Sequence, residues 1–451
     1  MEHINKLAPL GLFDARVPRY TSYPTAPVFS PATDEASQSV WLGALDPQVP
    51  VSVYVHIPFC ERLCWFCACR TQGTTTLNPV ARYLEVVEDE LKILAKTLPA
   101  GIQMGRLHWG GGTPTILLPE MIHRLARAVK SAIPPAKDFE FSVEIDPTMV
   151  DEAKIAALAA EGMNRASIGI QDFSDDVQAA IGRAQPYDVT ANCVAMLRRA
   201  GITSLNADLV YGLPHQDIAK ITRTVEQVLT LDPDRIALFG YAHVPHMAKR
   251  QKLIDETTLP DDRLRYRLAE SAAAQFEAAG FQTIGIDHFA KPEDSLAMAA
   301  TAGTLRRNFQ GYTADTCPTL IGVGASSISR FAQGYMQNAS ATAAYIERIS
   351  AGKLAGYRGH AMTDDDHLRS RAIEMLMCDF RIDLRTLADT YGTLAQTLVP
   401  LHALVVDRFA DFVTLTDEAL TITPEGKPLL RMIAQVYDAY ADAGAVYSKA
   451  S

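Results

Sequence analysis

No apolar stretch in this chain approaches the roughly 18–20 residues that a membrane-spanning helix needs, so a bundle of spanning helices is excluded. The first residues, MEHINKLAPLGLFDARVPRY, hold no basic segment followed by an apolar core. No secretory signal peptide is expected there, and we expect a cytoplasmic protein. Positive charge is not in surplus: the net charge is −10, which leaves no broad surface for nucleic acid. A local basic pocket for an anionic ligand stays compatible with that balance. Cysteine is sparse, and its count of seven is odd, which does not suit a paired disulfide framework. Nor is one needed, because 451 residues can bury a large core without cross-links. Low-complexity tracts are missing too. With 48% hydrophobic and 21% charged residues, the chain reads as globular, with about two to three domains at ~150 residues each.

Six strand-like runs are present: VSVYVHIP (51–58), RLHWGGG (106–112), FEFSVEIDP (139–147), NRASIGIQDF (164–173), SLNADLVYGLP (204–214) and RIALFGYAHVP (235–245). Segments of helical period separate them, such as YLEVVEDELKILAKTL and ITRTVEQVLTL. This alternation predicts βαβ units and an α/β fold with a parallel sheet. A partial or complete (β/α) barrel fits, with a doubly wound sheet as the alternative. Glycine and polar residues gather at the C-terminal ends of the runs, where either architecture does its chemistry. Two later runs, IGIDHFA (284–290) and LIGVGASSIS (320–329), are expected to extend the sheet. From about residue 362 the pattern changes to helices plus a hairpin, predicting a small, mostly helical, winged-helix-like domain.

Four of the seven cysteines fall within HIPFCERLCWFCACR (56–70), directly after the first run. Context excludes disulfides. Zinc usually pairs a CxxC with a second CxxC or an HxxxH downstream, and none follows. A redox CxxC would open a helix in a small fold without a third thiol. Iron–sulfur ligation remains, with Cys60, Cys64 and Cys67 spaced CxxxCxxC. Cys69 lies one residue beyond Cys67. In extended backbone the two would point the same way with Cα atoms ~7 Å apart, so geometry alone does not forbid ligation by Cys69.

CxxxCxxC after the first strand of a βα barrel, with Phe66 before the third cysteine and GGGTP (110–114) after the second run, resembles the signature of the radical S-adenosylmethionine (SAM) superfamily. That resemblance implies a partial radical-SAM barrel. Cys60, Cys64 and Cys67 would hold three irons of a [4Fe–4S] cluster, whose fourth iron chelates SAM. PRYTSYPTA (18–26), YVHIPFC, CACR, LHWGGGTPT, SVEIDP, GIQDF, DLVYGLP, GYAHVP, IDHFAKPED and RRNFQGYT resemble the oxygen-independent coproporphyrinogen III oxidase family, also called coproporphyrinogen dehydrogenases. The match runs from about residue 16 to the end, dense to residue 330 and looser beyond.

The resemblance implies oxidative decarboxylation of two propionates of coproporphyrinogen III to vinyl groups, giving protoporphyrinogen IX in haem biosynthesis. The reduced cluster would cleave SAM to methionine and a 5′-deoxyadenosyl radical, which takes a hydrogen from the propionate β-carbon. Loss of carbon dioxide and one electron follows. Two SAM molecules are implied. Tyr54, Gly111, Glu144 and Ile328 are carried over for the first, and Phe66, Gly112, Thr113, Gln171, Arg183, Asp208 and Ala242 for the second. Cys69 is implied to be required without being a ligand, and His56, Phe309 and Gln310 to line the site. Without the resemblance Glu144 and Asp208 read as turn carboxylates, and Ala242 and Ile328 as packing residues. Cys193, Cys317 and Cys378 are isolated and read as structural.

Arg19, Arg306 and Arg307 are candidate partners for the four substrate carboxylates. An electron donor such as flavodoxin or ferredoxin is expected, and the family implies a monomer. The expected domains are an N-terminal extension (1–50) packing near the active site, the barrel with its sheet extension (51–360) and the C-terminal domain (361–451). A haem-trafficking relative, another radical SAM reaction on a tetrapyrrole and a simple electron carrier are the rival readings. The haem-trafficking relatives lack the PRYTSYPTA segment and carry phenylalanine where Cys69 stands.

Overall fold

The computed structural model describes residues 2–441, 447 and 449. Six strands run in sequence order through the centre of the molecule: β1 (Val51–Ile57), β2 (Met104–Gly111), β3 (Pro135–Ile145), β4 (Arg165–Gln171), β5 (Ser204–Tyr211) and β6 (Arg235–Gly240). Each pairs in parallel with the next. The helices that return the chain are α1 (Asn78–Thr97), α2 (Pro119–Ala132), α3 (Glu152–Ala160), α4 (Tyr187–Arg199), α5 (Ile218–Thr230) and α6 (Asp262–Ala278). Asp151, Asp217 and Asp261 start α3, α5 and α6 by accepting backbone N–H bonds from Lys154, Lys220 and Leu264. The sequence-predicted alternation is therefore a partial (β/α) barrel.

Side-chain alternation in the strands sorts chemistry by face. In β1, Val51, Val53, Val55 and Ile57 pack into the core beneath the helices, with Leu84, Leu91, Leu107 and Trp109. Ser52, Tyr54 and His56 take the opposite, inner face. Register then lines up the inner residues across the sheet: Tyr54 with His108, His108 with Ser142, Glu144 with Ser167, Ser167 with Asn206, and Gly169 with Asp208. A one-residue slip would exchange this polar interior for the apolar exterior.

The sheet extends at both edges to twelve strands. The run at 284–290 is not one strand but a hairpin, β7 (Gln282–Ile284) and β8 (His288–Ala290), antiparallel on β6. The run at 320–329 is also divided. β9 (Leu320–Val323) lies parallel to β1, and β10 (Ile328–Phe331) turns back antiparallel. Gly324 causes the break: its φ is +94°, and a Cβ there would come within 2.5 Å of the Tyr83 hydroxyl. Two strands that periodicity missed, β11 (Gly334–Asn338) and β12 (Gly356–Ala361), complete that edge.

The C-terminal region begins with a helix, α7 (Asp364–Asp379), started by a capping box between Thr363 and Asp366. A three-stranded antiparallel sheet follows, of β13 (Arg381–Asp383), β14 (Val413–Leu415) and β15 (Ala419–Ile422), with β15 central. The hairpin of the sequence reading is β14–β15; β13 was not anticipated. Leu7, Leu12, Val17, Tyr20 and Tyr23 share one hydrophobic core with Leu376, Ile433 and Tyr437, so the N-terminal segment is built into this region. Among the described residues, no helix is long and apolar enough to cross a membrane.

Candidate active site

The cysteine loop leaves the C-terminal end of β1 and returns beside it. A short parallel bridge pairs Phe59 with Gln72 and Cys60 with Gly73, so the residues between bulge out as one compact excursion. Its far side rests on the loop before α4. The Trp65 N–H donates to the Ile181 carbonyl at 2.9 Å, and Arg62 donates to the Ala184 carbonyl at 3.0 Å. None of the seven cysteines is in a disulfide. Cys60 and Cys64 are buried, Cys67 half-buried and Cys69 open to solvent within the mouth of the barrel.

Hydrogen bonds to sulfur distinguish these thiols. Arg183, which is buried, donates to Cys64 Sγ at 3.4 Å and pairs with the half-buried Asp146 at 3.3 Å. The Cys69 N–H points at Cys67 Sγ, 3.4 Å away. Donation from the Cys69 thiol, against the effect of burial, lowers Cys67 to about 6, helped by the positive charges of Arg250 and Arg183. The same contact and the negative charge of Cys67 push Cys69 up. Burial also raises Cys60. The contact thus favours the charged form of Cys67 and the protonated form of Cys69.

No set of three His, Cys, Asp or Glu converges on a single metal-ion position among the described residues. A [4Fe–4S] cluster does not ask for that, since each thiolate binds a different iron. The loop offers three such sulfurs, and donors are directed at two of them, Cys64 and Cys67, the kind of surroundings that tune a cluster. Cys60, Cys64 and Cys67 therefore fit a [4Fe–4S] group, and Cys69 stands beside them as a protonated neighbour.

Next to the loop lies the end of β2. The Gly112 N–H donates to Ile57 O and the Thr113 N–H to Phe59 O, both at 2.8 Å, which pins GGGTP under the cysteine loop. A Cβ on Gly112 would stand 2.6 Å from the Phe59 carbonyl oxygen, so only glycine allows this approach.

Glu144 ends β3 and accepts from the Gly111 N–H at 3.0 Å and from His108 Nε2 at 3.3 Å. Burial opposes its charge, but these donors hold the carboxylate below its ordinary value. His108 is itself held by Ser142, at 2.7 Å from Nδ1, and stacks on Tyr54 with centroids 5.7 Å apart. Tyr54 bonds His56 at 3.0 Å, and the other His56 nitrogen meets the Arg70 carbonyl at 3.2 Å. Asp208 accepts from Ser167 at 2.8 Å and Asn206 at 2.7 Å. Burial, opposed by Ser167 and reinforced by Glu144, raises Asp208 to about 6. Gln171 ends β4 at φ +70°; with Arg183 it covers Gly169, whose carbonyl accepts from Arg183 at 3.0 Å.

Cys60, Cys64, Cys67, Cys69, Tyr54, His56, Phe66, Gly111, Gly112, Thr113, Glu144, Gln171, Arg183 and Asp208 thus gather at one end of the barrel. Ala242 joins them through Gln251, a fully buried residue that donates to Phe66 O at 2.8 Å and Ala242 O at 3.1 Å. Ile328 opens β10, and its backbone closes on Gly322 beside β1. Phe309 and Gln310 occupy a separate hairpin turn. Phe309 packs edge-on against Tyr335 with centroids 5.8 Å apart, and Gln310 is exposed. Among the described residues neither hydrogen-bonds the cysteine loop.

Sequence reasoning missed His108, Ser142, Asn206 and Gln251. Ser142 and Asn206 carried a signal, each lying two residues before Glu144 or Asp208 on the same strand face, whereas His108 meets Tyr54 only through the register of β1 and β2. Gln251 carried none. The isolated Cys193 and Cys378 are buried on helices, and Cys317 is half-buried.

A cavity of about 480 Å³ opens beside this end of the barrel, between the ends of β5 and β6, α6, the N-terminal segment and the C-terminal region. Tyr211, Gly240, Ala242, Arg265 and Arg19 are among its lining residues, and none of the four loop cysteines is.

The family model described as the Radical SAM superfamily matches residues 54–228. An oxygen-independent coproporphyrinogen III oxidase of Cereibacter sphaeroides is 63% identical over 453 positions, covering 100% of both chains. The protein of the same name from Paracoccus denitrificans is 53% identical over 450 positions, again covering 100% of both. A solved structure of coproporphyrinogen III oxidase from Escherichia coli, described as a radical SAM enzyme, superimposes with a TM-score of 0.90 at 35% identity. It covers 94% of this chain and 100% of its own.

Proposed function

We propose an activity for this chain from one premise: it belongs to the family of oxygen-independent coproporphyrinogen III oxidases, which are radical SAM enzymes. It converts two propionate side chains of coproporphyrinogen III to vinyl groups without oxygen, giving protoporphyrinogen IX. The relatives reported above carry the oxidase name, so the haem-trafficking reading is not taken forward. The observation that carries the assignment is the seating of Cys60, Cys64 and Cys67 at the end of β1, facing GGGTP, Glu144 and Asp208 in one barrel mouth.

When bound at these residues, the [4Fe–4S] cluster and SAM supply one-electron cleavage to a 5′-deoxyadenosyl radical, the oxidant this reaction needs. The protein supplies position and charge. Cys60, Cys64 and Cys67 hold the cluster. Tyr54, Gly111, Glu144 and Ile328 take the first SAM, with the ionised Glu144 matched to a cationic amine. Phe66, Gly112, Thr113, Gln171, Arg183, Asp208 and Ala242 take a second SAM, where the Arg183 guanidinium suits a carboxylate. Cys69 keeps its proton and stands free to pass it, or a hydrogen atom, at the substrate. His56 sets the Tyr54 hydroxyl, and Phe309 and Gln310 belong to the substrate side.

The residual electron from each propionate needs an acceptor. The electron that starts each turnover comes from a small one-electron carrier such as flavodoxin or ferredoxin. The protein acts as a cytoplasmic monomer built of an extension (1–50) that packs near the active site, the barrel (51–360) and a C-terminal domain (361–451).

Isotope transfer tests this reading. Substrate deuterated at the propionate β-carbons should pass deuterium into 5′-deoxyadenosine during anaerobic turnover. Unlabelled 5′-deoxyadenosine formed alongside vinyl product would place the hydrogen abstraction elsewhere.

A further inference from the structure

Glu144 is the acid assigned to the first SAM, but its direction is set by a neighbouring strand. The carboxylate lies across β2, over Gly110, where a Cβ would come within 2.6 Å of Oε1. Only glycine at that position lets the acid reach sideways. Each oxygen then meets one donor. The Gly111 N–H reaches Oε2 at 3.0 Å and His108 Nε2 reaches Oε1 at 3.3 Å. A carboxylate oxygen can accept twice, so one acceptor position stays open on each. Glu144 keeps 39% of its side-chain surface exposed against 18% for His108, so the acid is open to a ligand and the imidazole lies behind it.

The imidazole is itself held at its edge and on its face. Nδ1 lies 2.7 Å from the Ser142 hydroxyl, which makes no other side-chain hydrogen bond among the described residues. An ionised carboxylate only accepts, so Nε2 is the nitrogen that donates to Glu144, and Nδ1 accepts from Ser142. Tyr54 stacks on the ring at an interplanar angle of 16°. Strand register produces this arrangement. Tyr54, His108 and Ser142 are direct neighbours across β1, β2 and β3, and Glu144 follows Ser142 by two residues on the same face. Ser142 thereby fixes the nitrogen that faces the acid, and Tyr54 fixes the plane of the ring. A long acid left free would lose rotamer freedom when a ligand binds. A donor that orders it beforehand removes that cost.

We propose that His108 is the positioning residue for Glu144: aligned by Ser142 and Tyr54, it holds the carboxylate toward the SAM amine before SAM arrives. The inference rests on the reading of Glu144 as a SAM residue above. His108 acts through Glu144, so its contribution to SAM affinity vanishes when Glu144 is removed.

The test uses the full chain with its cluster reconstituted, as H108A, H108Q, E144A and the double variant H108A/E144A. SAM affinity is read by equilibrium dialysis and by the SAM-dependent change in the electron paramagnetic resonance of the reduced cluster, with iron content measured alongside. H108A should raise the SAM dissociation constant on the order of 10-fold, the scale of a hydrogen bond to a charged group, at unchanged iron content. H108Q, which keeps a donor near the Nε2 position, should recover most of that loss. In the E144A background the removal of His108 should cost nothing further. A ring that merely shapes the barrel would add its own loss to that of E144A, so additive losses overturn the proposal. Unchanged SAM affinity in H108A overturns it too, as does loss of the cluster in both single His108 variants. If E144A binds SAM as the wild type does, the SAM reading of Glu144 falls and the proposal falls with it. If E144A binds SAM weakly while H108A binds it normally, the proposal alone falls.

Discussion

Cys67 and Cys69 are two residues apart, yet one is an acid of about 6 and the other is held protonated by the same contact. Cys64→Ser should abolish the [4Fe–4S] absorbance after reconstitution. Cys69→Ser should keep the cluster and SAM cleavage but lose turnover by about 100-fold or more, on the scale of a proton-transfer group. Full iron content in Cys64→Ser, or full turnover in Cys69→Ser, would reverse those roles. Asp208 gives a pH signature. With its pKa raised to about 6, it loses its negative charge as pH falls through that value. SAM affinity should then drop about tenfold between pH 7 and pH 5, and Asp208→Asn should flatten the profile, as read by equilibrium dialysis. A parallel profile in the variant would remove Asp208 from the SAM site. At this scale the sequence was informative because the motif cysteines, GGGTP and the strand-end carboxylates are contiguous or share one strand parity. Gln251 was illegible because it joins Ala242 to Phe66, a residue 185 positions away that only the folded chain brings near.

Helix α1 carries a buried acid that no motif announced. Glu90 accepts from the Gly324 N–H at 2.7 Å, Asn338 at 2.8 Å and the Tyr345 hydroxyl at 2.6 Å. Those donors hold the β9–β10 turn, and so the start of β10 with Ile328, against the barrel. Burial wins over the donors and raises Glu90 to about 7. Glu90→Ala leaves three buried donors unmatched and should cost on the order of 3 kcal/mol, seen as a lower urea midpoint at pH 6, below the raised pKa, where the wild-type carboxyl carries no buried charge. An unchanged midpoint would show that the turn is held by other contacts. The parallel strands and their helices were legible because strand-like runs and segments of helical period alternate along the chain. The later runs were not resolved into separate strands, because a turn such as that at Gly324 is short and sits inside an apolar stretch.

Across the whole molecule, the two ends of the chain fold together. Leu7, Leu12, Val17, Tyr20 and Tyr23 lie in the core of the C-terminal region, while Tyr312 donates to Met377 O at 2.7 Å. Removing residues 362–451 should therefore expose the N-terminal segment as well. Amide exchange over residues 7–23 should become fast and the truncated chain should aggregate. Retained protection there would mean the segment docks on the barrel by itself. This coupling was invisible in sequence, since nothing in PRYTSYPTA announces a partner some four hundred residues away. The central claim concerns the reaction carried out at the barrel mouth. Its most direct test is anaerobic incubation of the reconstituted protein with coproporphyrinogen III, SAM and a strong reductant, read by mass spectrometry. The account expects loss of two carbon dioxide units with formation of 5′-deoxyadenosine. SAM cleavage with the tetrapyrrole mass unchanged would contradict it.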